Sequence, residues 1–214
     1  MRILPFGDRS AQRATYGDVH AHLQSGGLLL YPTETVFGLG GAATPEATRA
    51  LAELKGRDAA KPFLLLITNV RQIEGLEWTD AARRLADAFW PGPLTIVLRD
   101  ADARFPAGVR SEQGGVAVRD TSHEGMRRLI DALNQPLTST SANRPGARPA
   151  ETAAEARALF RDLPVRANVW MLDGPAGGTE PSSIVDCTGA RPRVVRAGAV
   201  PVDQIREIVH DIEV

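Results

Sequence analysis

Apolar residues in this chain come in short blocks. Those at 28–31, 63–67, 94–98 and 115–119 run four or five residues each and are bounded by Gly, Pro, Thr or charged side chains. Blocks of that length suit buried strands, whereas a membrane span needs roughly 18 apolar residues. Between the blocks the pattern turns helical. Over 45–54, Ala47, Ala50, Leu51 and Leu54 share one helix face, Thr44 stands at the N-cap position and Pro45 opens the first turn. Thr79 likewise caps a helix over 79–89, which Trp90-Pro-Gly-Pro93 ends. Further helices are expected over 15–25, 123–133, 152–160 and 202–212, and further strands over 137–141, 169–172, 183–187 and 193–196. Several strands follow one another with no helix between, which points to an α/β fold with a mixed sheet rather than a strictly alternating parallel one. The Thr- and Gly-rich segment 32–41 reads as a loop leaving the first strand. The Pro- and Gly-rich stretches 143–149 and 174–181 are short enough to be loops too, so the 214 residues, 43% of them hydrophobic, read as a single domain over 1–214.

Charge and composition exclude several classes. With 25 Lys and Arg against 26 Asp and Glu the net charge is −1, so no global basic field recruits nucleic acid. The N-terminus lacks an apolar signal segment, and the chain reads as soluble, cytoplasmic and without membrane partners. The single cysteine, Cys187, rules out an intrachain disulfide and a multi-cysteine zinc site; its apolar surroundings at 183–187 suggest a buried, inert thiol. His20, His22, His123 and His210 show no metal-ligand spacing, and no Ser-His-Asp order stands out. An activity that binds and orients charged substrates fits this inventory better than one built on a protein nucleophile.

The residues suited to such work fall in separate stretches. Lys55-Gly-Arg57 with Lys61 puts three cations into seven residues, and these are the only two lysines of the chain. Arg grips phosphate as a fork and Lys adds a point charge, although cations also collect at ordinary helix C-termini. Thr138-Ser-Thr-Ser141-Ala-Asn143 offers hydroxyls and an amide, or an ordinary Ser/Thr turn. In Tyr31-Pro-Thr-Glu-Thr-Val-Phe-Gly-Leu-Gly40, Thr33 and Thr35 can point the same way from an extended chain, and the glycines let backbone approach a ligand. Arg119 and Arg196 each end an apolar strand, and two such arginines favour an anionic ligand.

Taken in order, these motifs resemble one family. Tyr-Pro-Thr-Glu-Thr-Val-Phe-Gly-Leu-Gly at 31–40, Lys-Gly-Arg at 55–57, Lys-Pro-Phe-Leu-Leu-Leu-Ile at 61–67 and Trp-Pro-Gly-Pro-Leu-Thr at 90–95 follow the YrdC/TsaC pattern. So do Val-Ala-Val-Arg at 116–119, Ser-Thr-Ser-Ala-Asn at 139–143, Ser-Ser-Ile-Val-Asp at 182–186 and Val-Arg-Ala-Gly at 195–198. The resemblance covers roughly residues 15–210. It implies a twisted mixed α/β sheet flanked by helices, with a concave, positively charged pocket and no extra C-terminal domain. It implies a nucleotidyltransferase, L-threonylcarbamoyladenylate synthase, which joins L-threonine, bicarbonate and ATP and releases pyrophosphate for threonylcarbamoyladenosine modification of tRNA.

The same resemblance assigns ATP contacts to Lys55, Arg57, Lys61, Ser141, Asn143 and Arg196, and threonine contacts to Thr33, Thr35, Arg119, Ser139 and Ser182. Lys55 and Arg57 are the candidates for charge stabilisation during the reaction. Magnesium is expected to arrive with ATP, and transient contact with the proteins that transfer threonylcarbamoyl to tRNA is implied. The chain departs from the family pattern at Phe37, where Tyr is common, at Leu66 and Lys61, where longer members carry His and Asn, and at Pro149, where they carry Ser. Two alternatives remain open: a double-stranded RNA-binding or ribosome-maturation module of the same fold, and a paralogue acting on another carbamoyl or nucleotide substrate.

Overall fold

A computed structural model describes residues 2–56, 61–164, 167–178 and 180–214. In chain order the elements are β1 (Arg2–Pro5), α1 (Arg9–Gln24), β2 (Leu28–Tyr31), β3 (Gly38–Gly41), α2 (Pro45–Lys55), β4 (Leu64–Ile67), a 3-10 turn at Val70–Ile73, α3 (Asp80–Phe89), β5 (Leu94–Arg99) and β6 (Gly115–Asp120). There follow α4 (Glu124–Leu133), β7 (Leu137–Ser141), α5 (Ala153–Asp162), β8 (Val169–Asp173), β9 (Ser183–Asp186), β10 (Arg193–Arg196) and α6 (Val202–Ile208). The described strands make one ten-stranded sheet in the order β1-β8-β2-β3-β7-β4-β6-β5-β9-β10. It is mixed, as expected: β1–β8, β2–β8, β4–β6 and β5–β9 pair parallel, while β2–β3, β3–β7, β4–β7, β5–β6 and β9–β10 pair antiparallel. No described helix is long and apolar enough to cross a membrane.

Side-chain caps set the helix starts. Thr44 and Thr79 accept the N–H groups of Ala47 and Ala82, as their positions in the sequence predict. Thr152 and Glu155 form a reciprocal capping box on α5. Asp8 accepts from Ser10 and Ala11 and starts α1 at Arg9, six residues before the expected 15. The terminal strand β1 escapes sequence reading because Arg-Ile-Leu-Pro carries no apolar run; it is an edge strand held by parallel pairing to β8.

The larger correction falls on 32–41, where Gly38–Gly41 is a strand and not a loop. It pairs with β2 from Leu28↔Gly41 to Tyr31↔Gly38 and with β7 through Leu39↔Thr140. Glycine carries no β signal, yet here it is what admits the neighbours. A Cβ on Gly40 would lie 1.7 Å from the Thr138 carbonyl oxygen, and Tyr31 crosses this strand to donate its hydroxyl to that same carbonyl at 3.0 Å.

Three apolar clusters cover the sheet. Leu29 and Tyr31 face α1 and α4 through Val19, Leu23, Met126, Leu129 and Ile130, while Leu28 and Leu30 face α2 and α5 through Leu51, Ala156 and Phe160. So β2 is buried on both faces, which explains its unbroken apolar run. On the other half of the sheet, Leu94, Ile96, Leu98, Val116, Val118 and Val185 pack against Leu85 of α3 and Ile205 of α6. Their alternate neighbours, Thr95, Ala117, Arg119 and Ile184, take the opposite face and line a cleft. The site is therefore the stretch of sheet that helices leave uncovered.

Gly40→Ala tests the close β3–β7 approach. Since the added methyl meets backbone rather than a yielding side chain, the variant should lose about 3 kcal/mol of stability, read as a lowered urea midpoint. A midpoint equal to that of the parent protein would show that glycine does not set this spacing.

Candidate functional site

The cleft has a volume of about 570 Å³, within the roughly 300–1,000 Å³ range of small-molecule sites. Thr33, Thr35, Lys55, Lys61, Arg119, Ser139, Ser141, Asn143, Ser182 and Arg196 all line it. The chain thus brings ten of the eleven sequence-predicted residues to one cavity from β6, β7, β10, α2 and loops. Arg57, the eleventh, lies outside the described residues. Among the described lining residues the charged groups are Lys55, Lys61, Arg119 and Arg196.

One end is built on Arg119, which is only 4% exposed. Its Nη1 donates to Thr35 Oγ1 at 3.2 Å, and its Nε lies 3.1 Å from Glu34 Oε1. The neighbouring hydroxyls have a fixed direction. Thr33 Oγ1 donates to the Val36 carbonyl at 2.7 Å and accepts the Thr35 N–H at 3.1 Å. Its one proton is spent, so the 2.9 Å contact between the two hydroxyls requires Thr35 to donate to Thr33. Thr35 then accepts from Arg119 and presents to the cleft a lone pair and no proton.

A second group lies where β9 and β10 meet. Arg196 donates through Nε and Nη2 to the Ser182 carbonyl at 3.0 and 2.7 Å, and through Nη2 to Ser182 Oγ at 3.2 Å. Ser182 Oγ is also 2.8 Å from Thr95 Oγ1. Burial, and then the like charge of Arg119, push the Arg196 pKa down. Two partly desolvated guanidiniums in mutual repulsion form a place where an anion gains more than it would at either alone.

The third group is centred on Lys55. The buried residues of α2 are Ala47, Thr48, Leu51 and Lys55, a stripe rotated from the expected Ala47, Ala50, Leu51 and Leu54. That rotation turns Lys55 inward, at 9% exposure, instead of leaving it on a solvated helix end. Gly56 ends the helix in the left-handed region at φ 53°. Lys55 Nζ donates to the carbonyls of Ser141 and Asn143 at 3.1 and 2.7 Å and to Asn143 Oδ1 at 2.6 Å. Ser141 Oγ also donates to Asn143 Oδ1, at 2.8 Å, and Asn143 Nδ2 donates to the Ala147 carbonyl at 2.7 Å. Asn143 is thus the knot that holds Lys55, Ser141 and the following turn together.

Two positions of the family comparison do not reach the cleft lining. Leu66 is fully buried against the α1–α4 side, and Leu64, two residues earlier, lines the cavity instead. Pro149 is also outside the lining, where Pro145 and Gly146 stand. Sequence reading missed Thr95 and Glu34. The signal for Thr95 was a lone hydroxyl inside the apolar run 94–98, and for Glu34 a carboxylate between two threonines that converge.

The residues set aside as inert stay outside the cleft. Among the described residues no group of three or more His, Cys, Asp or Glu could hold a metal ion. His22 is buried and stacked on Trp170, with ring centroids 4.1 Å apart, and His123 caps α4. His20 and His210 are exposed. Cys187 lies in the α3–α6 cluster, on the far face of the sheet, where burial and then Asp186 push its thiol up to about 12.

The profile of the Sua5/YciO/YrdC family, described as telomere recombination, matches residues 21–198. This chain belongs to that family. Within it, the threonylcarbamoyl-AMP synthase of Thiobacillus denitrificans is 38% identical over 185 residues, covering 84% of this chain and 93% of that protein. The threonylcarbamoyl-AMP synthase of Chromohalobacter salexigens is 42% identical over 177 residues, covering 79% and 90%. The structure of Pyrococcus abyssi Sua5 complexed with L-threonine superposes with a TM-score of 0.86 at 29% identity and covers all of this chain. This chain spans 62% of the length of that Sua5. Escherichia coli YciO shares the fold, with a TM-score of 0.80 at 22% identity. The mixed sheet flanked by helices is thus the Sua5/YrdC fold. The named relatives favour the synthase reading and lend none of the alternatives support.

Cys187 provides a check on the face assignments. In the folded protein at pH 8 it should stay unmodified by an aromatic disulfide reagent for hours and react at once in denaturant. Rapid reaction under native conditions would place it on an accessible surface.

Proposed function

We propose that this chain is a threonylcarbamoyl-AMP synthase, converting L-threonine, bicarbonate and ATP to threonylcarbamoyl-AMP and pyrophosphate. The observation that carries the reading is that both sets of motif residues line one cleft: Thr33, Thr35, Arg119, Ser139 and Ser182 with Lys55, Ser141, Asn143 and Arg196. Lys61 lines the same cleft, and the family motif assigns Arg57 to the nucleotide as well.

The chemistry needs positioning more than a protein nucleophile. The threonine amine and bicarbonate give a carbamate and water. A carbamate oxygen then attacks the α-phosphorus, the bond from that phosphorus to the bridging oxygen breaks, and pyrophosphate leaves. Arg119 supplies a fork for the threonine carboxylate. Thr35, which has no proton to give, accepts from a threonine N–H or O–H. Lys55, Arg57 and Arg196 offset charge on the phosphate oxygens as the pentacoordinate state forms. The lining offers hydroxyls, an amide and cations but no carboxylate among the described residues, a donor set that does not build a resident magnesium site. Magnesium accordingly enters as part of the ATP substrate. The product is consumed in threonylcarbamoyladenosine modification of tRNA in the cytoplasm, through transient contact with the transfer proteins.

Purified protein incubated with magnesium-ATP, labelled bicarbonate and L-threonine should release pyrophosphate and form labelled threonylcarbamoyl-AMP, and omitting threonine should abolish both. Pyrophosphate release that ignores threonine would sink the reading. Arg196→Ala should lower kcat/KM for ATP by about 100-fold without changing the melting temperature by more than a few degrees, since it removes charge at a rim strand. A rate equal to that of the parent protein would remove Arg196 from the nucleotide end.

A further inference from the structure

Glu34 does not line the cleft, yet its carboxylate touches the groups that do. Oε1 lies 3.1 Å from Arg119 Nε, and Oε2 accepts from Thr121 Oγ1 at 2.5 Å. The Glu34 side chain is 10% exposed and that of Arg119 is 5% exposed. The Oε1–Nε contact is poorly aligned, and neither atom has a hydrogen-bond partner among the described residues. It acts through charge, by compensating a guanidinium that would otherwise be buried alone.

The neighbours of Glu34 are themselves held. Thr121 N–H donates to the Ile67 carbonyl at 3.2 Å, and its hydroxyl accepts the His123 N–H at 3.3 Å while donating to Glu34. His123 Nε2 meets the Pro175 carbonyl at 2.9 Å, and Gly177 N–H donates to the Thr33 carbonyl at 2.8 Å. The start of α4 and the 174–178 segment therefore brace the Thr33–Thr35 loop from behind. With Nε facing Glu34 and Nη1 bonded to Thr35, two of the three guanidinium nitrogens of Arg119 are held. Its Nη2 makes no hydrogen bond to a described residue, and Arg119 lines the cleft.

We infer that Glu34 is a positioning residue for the amino-acid part of the cleft: braced by Thr121, it orients the Arg119 guanidinium so that Nη2 is left to receive the substrate carboxylate. The inference rests on the synthase reading and extends it to two residues, Glu34 and Thr121, that stand behind the lining. Glu34 does not act as a general base, since it does not line the cavity.

Titration calorimetry with L-threonine and with ATP, on the parent protein, Glu34→Gln and Thr121→Val, tests this. Glu34→Gln keeps size and one carbonyl oxygen but loses the charge. It should weaken threonine binding and raise the threonine KM by about tenfold, leaving ATP binding and the kcat at saturating threonine within about twofold. Thr121→Val should move in the same direction by a smaller factor, and Glu34→Asp should recover part of the affinity. Unchanged threonine affinity in Glu34→Gln would overturn the inference. So would equal weakening of both ligands, which is the mark of a merely structural role. Failure of the parent protein to bind threonine at all would instead overturn the synthase reading.

Discussion

A strand shows successive side chains to opposite faces, and this molecule depends on how its sheet uses that rule at β5, β6 and β9. Leu94, Ile96, Val116, Val118 and Val185 face one way and bury against α3 and α6. Thr95, Ala117, Arg119 and Ile184 consequently face the other way, where no helix packs and the cleft opens. Burying a side chain such as Leu or Val contributes about 1.5–3 kcal/mol, so the covered face anchors the strands while the open one is released for polar residues. A one-residue slip of β6 would turn Arg119 into the apolar cluster and Val118 into the cleft. Register, fixed by the hydrophobic face, is what places the cation.

The polar face is organised before any ligand arrives. Proton direction follows from counting: Thr33 gives its proton to Val36, so Thr35 gives its own to Thr33 and has only lone pairs for Arg119 and the cleft. Ser141 gives its proton to Asn143. These commitments lower the reorganisation required on binding and make the site selective by polarity as well as charge. Arg119 and Arg196 stay in mutual repulsion, the unfavourable arrangement that an anionic substrate relieves.

Much of this was legible in the sequence, and the rest was hidden for identifiable reasons. The apolar blocks 28–31, 94–98 and 115–119 are strands as read, and Thr44 and Thr79 cap their helices, because burial and capping are local signals. Gly38–Gly41 was invisible as a strand because its reason for being there is the Thr138 carbonyl, distant in the chain, and the Tyr31 ring, which only the β2–β3 pairing brings against it. Arg2–Pro5 was invisible because its stability comes from pairing with β8. The site residues were individually weak signals, and only their order along the chain drew them together. Glu34 stayed hidden because its partners, Arg119 and Thr121, lie some 85 residues away.

The Lys55 cluster bears on how a nucleotide would be received. An ammonium has three N–H donors, and three protein acceptors already lie within hydrogen-bond distance of Nζ: the Ser141 and Asn143 carbonyls and Asn143 Oδ1. A phosphate oxygen must therefore either take the place of one acceptor or feel Lys55 as a charge alone. Displacing Asn143 Oδ1 would loosen Ser141 and the turn that Asn143 ties at Ala147. Coulombic attraction needs no such exchange and falls off slowly with distance in a partly desolvated cleft. The geometry therefore gives Lys55 two duties, tying α2 to β7 and lending charge to the cleft.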